Sequence, residues 1–561
     1  MGTTTGPAPR QLRRLREIVT VFVRYGFVDV VARLHLAPYL AFGRRLLFPW
    51  RRRGGEAEAL TPQQRLRLAF QDLGPTFIKF GQALSLRADV LPPELVAELA
   101  RLQDEVPPLE PGQAEAAVEA ELRAPLKQIF CRFDQSPLAA ASIAQVHRAT
   151  FAGGEEVAVK VRRPGIAAII ESDVAVLSQI ARLAERYLGD AELYGPSNLV
   201  GQFARSIRRE LNLAREGRMI DRFRQNFAGD PTVRFPKVYW NHTTSGVLTL
   251  EYMPGIKISD VVSAGPGFDV PLIARRGADA VLKQVLLHGL FHADPHPANV
   301  FVLPGNVICF LDFGNAGRLE RPMREALAGL VESLVRQDAD RLAEGLLSIA
   351  VPLGQVNTRE FRQDLAEMLD TYGNVTLRDL SISELIRDSF AAMARYRLQF
   401  PSDLLLLARA FLTVESVARQ LDPSFKLVDH ARPLVERVLR ERLTPSAIAA
   451  RVSELGHEAA EALQAVPRDL VEIVRKARTD RLQIQFVHRN LEHFVQEMDR
   501  SSNRLSFAVV IAALIVGSSF IFQSNAGPHV FGYPALGLGG YLVAAFLGIW
   551  LAIGILRSGR L

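Results

Sequence analysis

The sequence predicts an α+β fold in which a small sheet-containing lobe precedes a larger helical lobe, followed by two membrane-spanning helices. Three patterns support this prediction. Strand-like runs are concentrated in residues 131–255, whereas apolar residues at helical spacing dominate residues 60–130 and 256–430. Residues 505–556 contain two long apolar runs that carry no charge.

Composition excludes several classes of protein. Hydrophobic residues make up 48% and charged residues 23% of the 561-residue chain, which excludes a largely disordered protein. The net charge of +7 favours an anionic surface nearby, and a lipid bilayer is favoured over nucleic acid because no zinc or aromatic RNA-binding signature accompanies the charge. Cys131 and Cys309 are too few for a disulfide scaffold or a cysteine-based zinc site. Both lie in apolar runs, so we expect both in the core.

The N-terminal arm is basic and amphipathic from Pro9 to Arg53. It is not expected to be a signal peptide, because Arg24 and Asp29 interrupt its apolar stretch. Two interpretations remain open: the arm lies on anionic lipid headgroups, or it is a helical arm that packs on the main domain.

Hydrophobic periodicity divides the chain into segments of different character. The predicted domains are, in chain order, the basic arm (1–59), a helical extension (60–130), a small nucleotide-binding lobe (131–255), a helical catalytic lobe (256–430), a helical linker (431–504) and two membrane-spanning helices (505–556).

The two apolar runs are Leu505–Phe522 and Leu536–Leu556. Each is long enough to cross a hydrocarbon core of about 30 Å as a helix. A polar turn at Gln523–Pro528 separates them. The alternative is a buried hairpin of a soluble domain.

Arginines flank the two runs on their outer sides and none occurs in the loop between them, which predicts that the preceding domain is cytoplasmic. Small residues recur every four positions from Gly540 onward, and Ala513 and Gly517 form a similar notch in the first run. These positions are expected to let another helix approach closely.

The chemistry-bearing residues begin with Lys160 and Glu216. Phosphoryl transfer from a nucleotide requires a cation on the phosphates, an acid that fixes this cation, Mg²⁺ ligands and often a carboxylate near the nucleophile. Lys160 ends a strand and Glu216 lies on a later helix, so this pair can supply the first two. Each is a weak signal alone, because strand lysines and surface glutamates usually face solvent.

Residues 292–299, with the sequence HADPHPAN, are more informative. Asp294 and Asn299 are five positions apart on a proline-stiffened loop, so a carboxylate and an amide oxygen can converge on one Mg²⁺-bound phosphate. Asp312 opens an Asp-Phe-Gly triplet after an apolar strand. Gly314 is expected to permit the tight turn that aims Asp312 at the metal.

Two other interpretations of residues 292–299 remain open. The first is a metal hydrolase with His292, Asp294 and His296 as ligands, although no further histidine or aspartate cluster completes its shell. The second is a polar loop with a purely structural role.

Taken in order, these motifs resemble those of the protein-kinase superfamily. The segment Leu250–Met253 resembles its hinge, whose backbone groups at Glu251 and Met253 hold the adenine edge. Three features depart from an ordinary protein kinase. An alanine-rich segment, 138–146, replaces the glycine-rich loop, no Ala-Pro-Glu segment follows Asp312, and the sequence KFGQ at 79–82 lies on an additional helix.

These departures, together with residues 145–149 and 292–299, resemble the UbiB family of atypical kinase-like proteins of ubiquinone biosynthesis. The resemblance implies a protein-kinase-like bilobal fold that binds ATP and Mg²⁺. The residues it implies are, by role, Asp294, Lys160 and Glu216 in catalysis; Asn299 and Asp312 on Mg²⁺; and Leu138, Ala139, Ala140, Ala141, Ser142, Ile143, Ala144, Gln145, Val146, Lys160, Glu251 and Met253 on the nucleotide.

The resemblance also implies a regulatory contact. The helix that carries Lys79 and Gln82 is expected to cover the site where a protein substrate would dock, with these two side chains facing an acidic Glu-x-Asp motif. Here this motif begins at Glu210 and has Asn212 in place of the aspartate. We expect one contact of the set to be weaker for that reason.

A blocked docking groove beside a Mg²⁺–nucleotide site favours an ATPase over a peptide kinase. The resemblance implies a role in ubiquinone biosynthesis at the cell inner membrane, with the bilayer, polyprenylated quinone precursors and other enzymes of the pathway as partners. A kinase that phosphorylates a protein or lipid, and a nucleotide-sensing scaffold, remain alternatives.

Overall fold

The computed structural model divides the chain into two compact units, Met1–Ala449 and Ala450–Leu561. It describes residues 9–36, 60–87, 91–102, 106–187, 195–265, 267–352, 356–373, 382–396, 398–442, 491–524, 528–530 and 533–557. The predicted linker, 431–504, lies largely outside these described residues.

Helices account for most of the first unit. They are α1 (Pro9–Arg24), α2 (Val28–Arg33), α3 (Pro62–Leu73), α4 (Pro75–Leu84), α5 (Pro93–Leu99), α6 (Gln113–Leu122), α7 (Leu126–Ile129), α8 (Ile166–Tyr187), α9 (Pro196–Glu210), α10 (Leu213–Asn226), α11 (Val270–Lys283), α12 (Arg321–Val335), α13 (Ala339–Ile349), α14 (Thr358–Gly373), α15 (Ile382–Arg395), α16 (Ser402–Leu421) and α17 (Leu427–Arg442).

The strands of the first unit are short. They are β1 (Phe130–Phe133), β2 (Ala139–Ala140), β3 (Ala144–Phe151), β4 (Glu156–Arg162), β5 (Val233–Arg234), β6 (Val247–Glu251), β7 (Ile256–Lys257), β8 (Leu290–His292), β9 (Val300–Leu303), β10 (Val307–Phe310), β11 (Ala316–Arg318), β12 (Val351–Pro352) and β13 (Leu398–Gln399).

The small lobe is built on a five-stranded sheet with the order β1-β3-β4-β6, in which β2 also pairs with β3. In β4, Val157, Val159 and Val161 are fully buried and form one apolar cluster with Phe130 of β1. Because successive side chains of a strand point to opposite faces, Lys160 lies on the face away from this cluster. The predicted α+β fold is confirmed.

One core prediction is wrong. Cys309 in β10 is buried, but Cys131 in β1 is exposed. Phe130, the preceding residue of β1, is buried in the core of the small lobe. The register of β1 against β3 shifts between Phe130 and Arg132, and at this irregularity the Cys131 side chain faces outward.

The described part of the N-terminal arm packs on the first unit. Leu15, Ile18 and Val19 of α1 are buried in one cluster with residues of α3, α4, α8 and α9. Arg14 forms an ion pair with the buried Asp173 of α8, at 2.6 Å between Nε and Oδ1. Of the two interpretations of the arm, residues 9–36 follow the packed one, and the arginines of residues 44–53 lie outside the described residues.

In the helical lobe, two small sheets support the loops between helices. One has the order β5-β10-β9-β7, and the other pairs β8 with β11. The predicted catalytic loop connects β8 to β9, and the Asp-Phe-Gly triplet connects β10 to β11. Paired strands therefore hold both ends of each loop. Phe291 of β8 and Phe310 of β10 anchor these strands in the main apolar cluster.

The second unit contains α18 (Leu491–Ser524), β14 (His529–Val530), β15 (Tyr533–Pro534) and α19 (Ala535–Arg557). Both helices contain a stretch long and apolar enough to span a membrane, Ser502–Ile521 and Ala535–Ala552. Only 6% and 11% of these stretches are buried, which is unlike a helix in the core of a soluble domain.

At the contact between α18 and α19, small residues of α19 allow a close approach, as predicted for the run that begins at Gly540. A Cβ at Gly540 would lie 2.0 Å from Ser518 Oγ, so the absence of a side chain allows this approach. Ala544 is buried in the same contact surface. Ala513 and Gly517 are exposed and do not face α19, because Ser518 lies on the face that meets it, so the notch for another helix stays a prediction.

Candidate functional site

Lys160 stands at the centre of the candidate site. Its Nζ lies 2.8 Å and 3.0 Å from the two carboxylate oxygens of Glu216 on α10, and 3.1 Å from Asp312 Oδ1. Glu216 Oε1 also accepts a hydrogen bond from the backbone N–H of Phe313, at 3.1 Å. One cation therefore joins β4, the helix α10 and the Asp-Phe-Gly triplet.

The electrostatics of this cluster follow from two carboxylates that share one ammonium group. Burial alone lowers the pKa of Lys160, but the charges of Asp312 and Glu216 outweigh burial and raise it above its ordinary value. The Lys160 charge holds the pKa of Asp312 well below its usual range. Burial, together with repulsion from Asp312, raises the pKa of Glu216 to about 7 in spite of its bonds to Lys160. Asp312 is thus the firmly ionised member of the pair.

The turn at the Asp-Phe-Gly triplet is built differently from the prediction. The residue with a left-handed backbone is Asp312, with φ of 57°, and not Gly314. Gly314 allows a close approach, because a Cβ there would lie 3.3 Å from Asp312 Oδ1, which is tighter than an ordinary van der Waals contact. Its N–H donates to that same oxygen at 3.2 Å. The bond fixes the Asp312 carboxylate beside Lys160.

The catalytic loop is fixed by a buried histidine. His292 Nε2 bonds to the carbonyl of Leu311 at 3.1 Å, and His292 Nδ1 accepts from the N–H of Asp294 at 3.2 Å. These partners define a neutral imidazole that carries its proton on Nε2. Burial lowers the pKa of His292 and so favours this neutral form. Both ring nitrogens are engaged, which argues against His292 as a metal ligand.

Asp294 and Asn299 face each other across this loop. Asn299 Nδ2 donates to the backbone carbonyl of Asp294 at 3.2 Å, which leaves the Asn299 side-chain oxygen directed elsewhere. The backbone carbonyl of Asn299 accepts from the N–H of Leu311 at 2.8 Å, so the loop is tied to the end of β10. The structure therefore brings the predicted catalytic and metal-binding loops together.

Sequence reasoning missed Arg409. Its guanidinium lies 3.1 Å from Asp294 Oδ1, and this oxygen is buried without a well-aligned hydrogen bond from any described residue. Arg409 lies on α16, far downstream of the motifs, in a segment with ordinary helical periodicity. No local sequence signal marks it.

The residues present suit a Mg²⁺–nucleotide complex. Mg²⁺ keeps several waters and takes one or two carboxylates together with substrate phosphates. Asp312 and the side-chain oxygen of Asn299 provide such a donor set, and Lys160 provides the phosphate cation. Within the described residues, no group of three or more histidine, cysteine, aspartate or glutamate side chains could hold a metal on its own. That result disfavours the metal-hydrolase interpretation.

The alanine-rich segment forms a tight hairpin between β2 and β3. The N–H of Ala141 donates to the carbonyl of Ala144 at 2.9 Å. Arg163 fastens the turn, because its Nε donates to the carbonyl of Ala141 at 2.8 Å and its Nη2 to Pro107 at 2.7 Å. Ile143, at the tip, is buried in the apolar cluster of the N-terminal helices. The hairpin is therefore held by the helical extension.

Two polar residues of this hairpin point away from any open cleft. Gln145 is only 2% exposed, accepts from the N–H of Leu109 and contacts His147 Nε2 at 2.6 Å. Ser142 is fully buried, and its hydroxyl lacks a hydrogen-bond partner among the described residues. Leu138 is 52% exposed. The side chains of Ser142 and Gln145 are therefore unavailable to a ligand in an open cleft.

The hinge-like segment follows β6. The N–H of Glu251 donates to the carbonyl of Lys237 at 2.9 Å, and the carbonyl of Met253 accepts from the N–H of Gly255 at 2.9 Å. The Met253 side chain is buried beside Leu303. Two backbone groups of the hinge are thus already bonded within the chain.

Of the predicted regulatory residues, the structure joins Lys79 and Glu210 but not Gln82. Lys79 Nζ lies 2.9 Å from Glu210 Oε1, and its charge also lowers the pKa of Asp312. Gln82 instead donates to the backbone carbonyl of Leu102 at 3.0 Å. Asn212 caps α10, where its side chain accepts from the N–H of Arg215 at 3.3 Å.

Three family models match this chain in succession. The ABC1 atypical kinase-like domain matches residues 101–346, the UbiB helical domain matches 365–426, and the ABC1/UbiB kinase-like C-terminal domain matches 489–557. The first match covers Lys160, Glu216, the catalytic loop and the Asp-Phe-Gly triplet. The second match contains α16, and the third contains α18 and α19.

Relatives match between 78% and 98% of this chain. A probable protein kinase UbiB of Pseudomonas putida is 34% identical over 97% of this chain and 99% of its own, and one of Pseudomonas entomophila is 37% identical over 78% and 82%. An uncharacterised protein of Clostridium pasteurianum, encoded 5′ of hydrogenase 1, is 30% identical over 98% and 99%.

A solved structure of Rv3197 with erythromycin, from Mycobacterium tuberculosis, is 21% identical with a TM-score of 0.44, over 63% of this chain and 90% of that one. The domain models and the relatives together show that the chain belongs to the UbiB family of atypical kinase-like proteins.

Proposed function

We propose that this UbiB-family chain binds ATP with Mg²⁺ and hydrolyses it at a membrane surface in support of ubiquinone biosynthesis. The observation that carries the proposal is the bridge from Lys160 to both Glu216 and Asp312. A half-buried lysine held between two carboxylates is positioned to meet phosphates, and the two carboxylates neutralise its charge until the phosphates bind.

The residues have separate tasks in this proposal. Mg²⁺, once bound, neutralises charge that develops on the transferring phosphoryl group. Asp312 and Asn299 hold the ion, and Lys160 binds the phosphates while Glu216 keeps the ammonium in place. Asp294 orients the attacking water. Of the hinge groups, the carbonyl of Glu251 and the N–H of Met253 bind the adenine edge in this proposal, since the N–H of Glu251 and the carbonyl of Met253 already have partners.

Hydrolysis is favoured over peptide phosphorylation by the chain that follows the Asp-Phe-Gly triplet. After Asp312 the chain forms β11 and enters α12 at Arg321, so little length is left for a peptide-docking loop. The ion pair of Lys79 with Glu210 also joins the helix α4 to the end of α9 beside the site. Both features leave water as the readiest acceptor.

The membrane part of the proposal rests on the two apolar helices and on the names of the relatives. In this proposal α18 and α19 anchor the chain in the inner membrane, and the arginines outside the two spans favour a cytoplasmic side for the preceding domain. Polyprenylated quinone precursors partition into the same bilayer. ATP turnover then helps these precursors meet the other enzymes of the pathway.

The full-length chain, purified and returned to vesicles that contain anionic lipid, provides the test. We expect Mg²⁺-dependent release of phosphate from ATP, and loss of ubiquinone in a strain that lacks the chain. Complementation with the wild type is expected to restore ubiquinone, whereas Asp312→Asn is not. Transfer of the γ-phosphate to a protein or lipid, with no release of free phosphate, would favour a kinase and contradict hydrolysis.

A further inference from the structure

The catalytic loop of this chain contains no lysine or arginine. Its residues from Asp294 to Asn299 read Asp-Pro-His-Pro-Ala-Asn. Asp294 nevertheless has a cationic partner, Arg409, whose Nη2 lies 3.1 Å from Asp294 Oδ1. The counter-ion of the proposed catalytic carboxylate is therefore contributed by a distant segment of the chain.

The helix that carries Arg409 is firmly packed. Ala408 and Ala410, on either side of Arg409, are buried, and α16 packs against α11 in the main apolar cluster. Asp294 and Arg409 keep side-chain exposures of 31% and 35%, so the pair lies at the edge of the packed region. A guanidinium on a rigid helix can hold a carboxylate in one orientation at little entropic cost.

We propose that Arg409 is the positioning residue of the catalytic loop, and this role rests on the proposed hydrolysis of ATP. Arg409 holds the Asp294 carboxylate turned toward the attacking water. The buried Oδ1 of Asp294 has no well-aligned hydrogen bond from the described residues, so Arg409 is the charge that stabilises this oxygen. Without Arg409 the carboxylate loses its cation and rotates away from the water.

The role links two parts of the family architecture. Asp294 lies in the kinase-like match, residues 101–346, whereas Arg409 lies in the helical-domain match, residues 365–426. An ordinary catalytic loop can be complete within one lobe. In this chain the helical domain completes it, so a movement of α16 changes turnover without any change in the nucleotide contacts.

The variants Arg409→Gln and Arg409→Lys test this role in the full-length chain. We expect Arg409→Gln to lower kcat for ATP hydrolysis roughly 10- to 100-fold, while the dissociation constant of a fluorescent ATP analogue changes less than about 2-fold. Arg409→Lys, which keeps the charge, should recover most of kcat. Arg419→Gln is the matched control, because Arg419 lies on the same helix and pairs with Glu415 at 2.9 Å.

A double-mutant cycle with Asp294→Asn separates positioning from other roles. If Arg409 acts through Asp294, adding Arg409→Gln to Asp294→Asn should lower the residual rate less than about 2-fold. An equal loss of roughly 10- to 100-fold in both backgrounds would overturn the proposal. So would an equal loss in Arg419→Gln, which would show a general effect on α16.

These experiments distinguish failure of the proposed ATP hydrolysis from failure of the proposed role of Arg409. A wild-type chain that hydrolyses no ATP contradicts the proposed function, and the role of Arg409 falls with it. A wild-type chain that hydrolyses ATP while Arg409→Gln retains full kcat overturns only the role of Arg409.

Discussion

At one end of the proposed nucleotide site Lys160 bridges two carboxylates, whereas at the other end an alanine-rich hairpin presents backbone groups and methyls. The charged end is assembled from side chains on three separate segments, β4, α10 and the Asp-Phe-Gly triplet, and bonds to Lys160 place the other two. The hairpin end is placed by packing, through Ile143 and the clamp of Arg163. Chemistry should therefore be sensitive to the charged end, and nucleotide affinity to the hairpin end.

The largest effect is expected for Asp312→Asn at the charged end. Asparagine tolerates the left-handed backbone of this position, so the turn is kept while the metal-binding charge is lost. We expect ATP turnover to fall at least about 1,000-fold with little change in melting temperature. Asp260→Asn, a substitution at an exposed residue, serves as the control. A retained rate would show that Asp312 does not hold the metal.

The next effect concerns pH and Glu216. Its pKa rises from 4.5 in the unfolded chain to about 7 in the fold, so between these values the folded protein holds a proton that the unfolded chain has released. This contribution to stability is present at low pH and is lost as the pH rises through about 7. It amounts to at most about 3 kcal/mol.

In Mg²⁺-free protein we therefore expect the melting temperature of the wild type, relative to Glu216→Gln, to fall between about pH 5 and pH 8. Glu171→Gln is the control. In the wild type Arg208 bonds to Glu171 and lowers the pKa of that carboxyl, so Glu171 contributes no fall in melting temperature over this pH range. A difference between wild type and Glu216→Gln that stays constant with pH would contradict the shared-ammonium picture.

A smaller effect is expected at the hairpin end. Arg163→Gln removes the clamp on the carbonyl of Ala141, so the hairpin moves and holds the phosphates less well. We expect KM for ATP to rise roughly 3- to 10-fold, with kcat unchanged within about 2-fold. Arg132→Gln, which breaks an exposed ion pair on the same sheet, is the control. A loss of kcat instead would mean that the hairpin takes part in chemistry.

The smallest effect is expected for Asn212→Asp. Both residues cap helices well, and a negative charge at the start of α10 is mildly favourable, so stability should change by less than about 0.5 kcal/mol. ATP turnover should fall less than about 2-fold. A large fall measured in the same hydrolysis assay would show that the aspartate of the family motif restrains the site, in addition to capping the helix.

Sequence patterns predict the charged end better than its surroundings. Lys160, Glu216 and Asp312 stand in motifs whose spacing reflects their chemistry, and the fold joins them in one cluster. The loop that carries Asp294 is tied through His292 to Leu311, the residue before Asp312. Arg409 could not be found in the same way, because its partner is set by the packing of α16 and no local pattern records that packing.

The other differences between the sequence-based predictions and the structure also have physical causes. The left-handed residue of the triplet is Asp312, since its carboxylate bonds to the N–H of Gly314 and so favours that conformation. Gln82 turns to Leu102 because that backbone carbonyl lies within its reach. Side-chain choices of this kind depend on tertiary neighbours, which periodicity does not specify.

The central claim is that the cluster around Lys160 is a site for Mg²⁺ and a nucleotide. Equilibrium binding of a non-hydrolysable ATP analogue, with and without Mg²⁺, tests it most directly. We expect Mg²⁺ to tighten binding at least about 10-fold in the wild type, because the triphosphate would otherwise meet the carboxylate of Asp312, and we expect this gain to vanish in Asp312→Asn. Equal affinity with and without Mg²⁺, or no binding at all, would contradict the account.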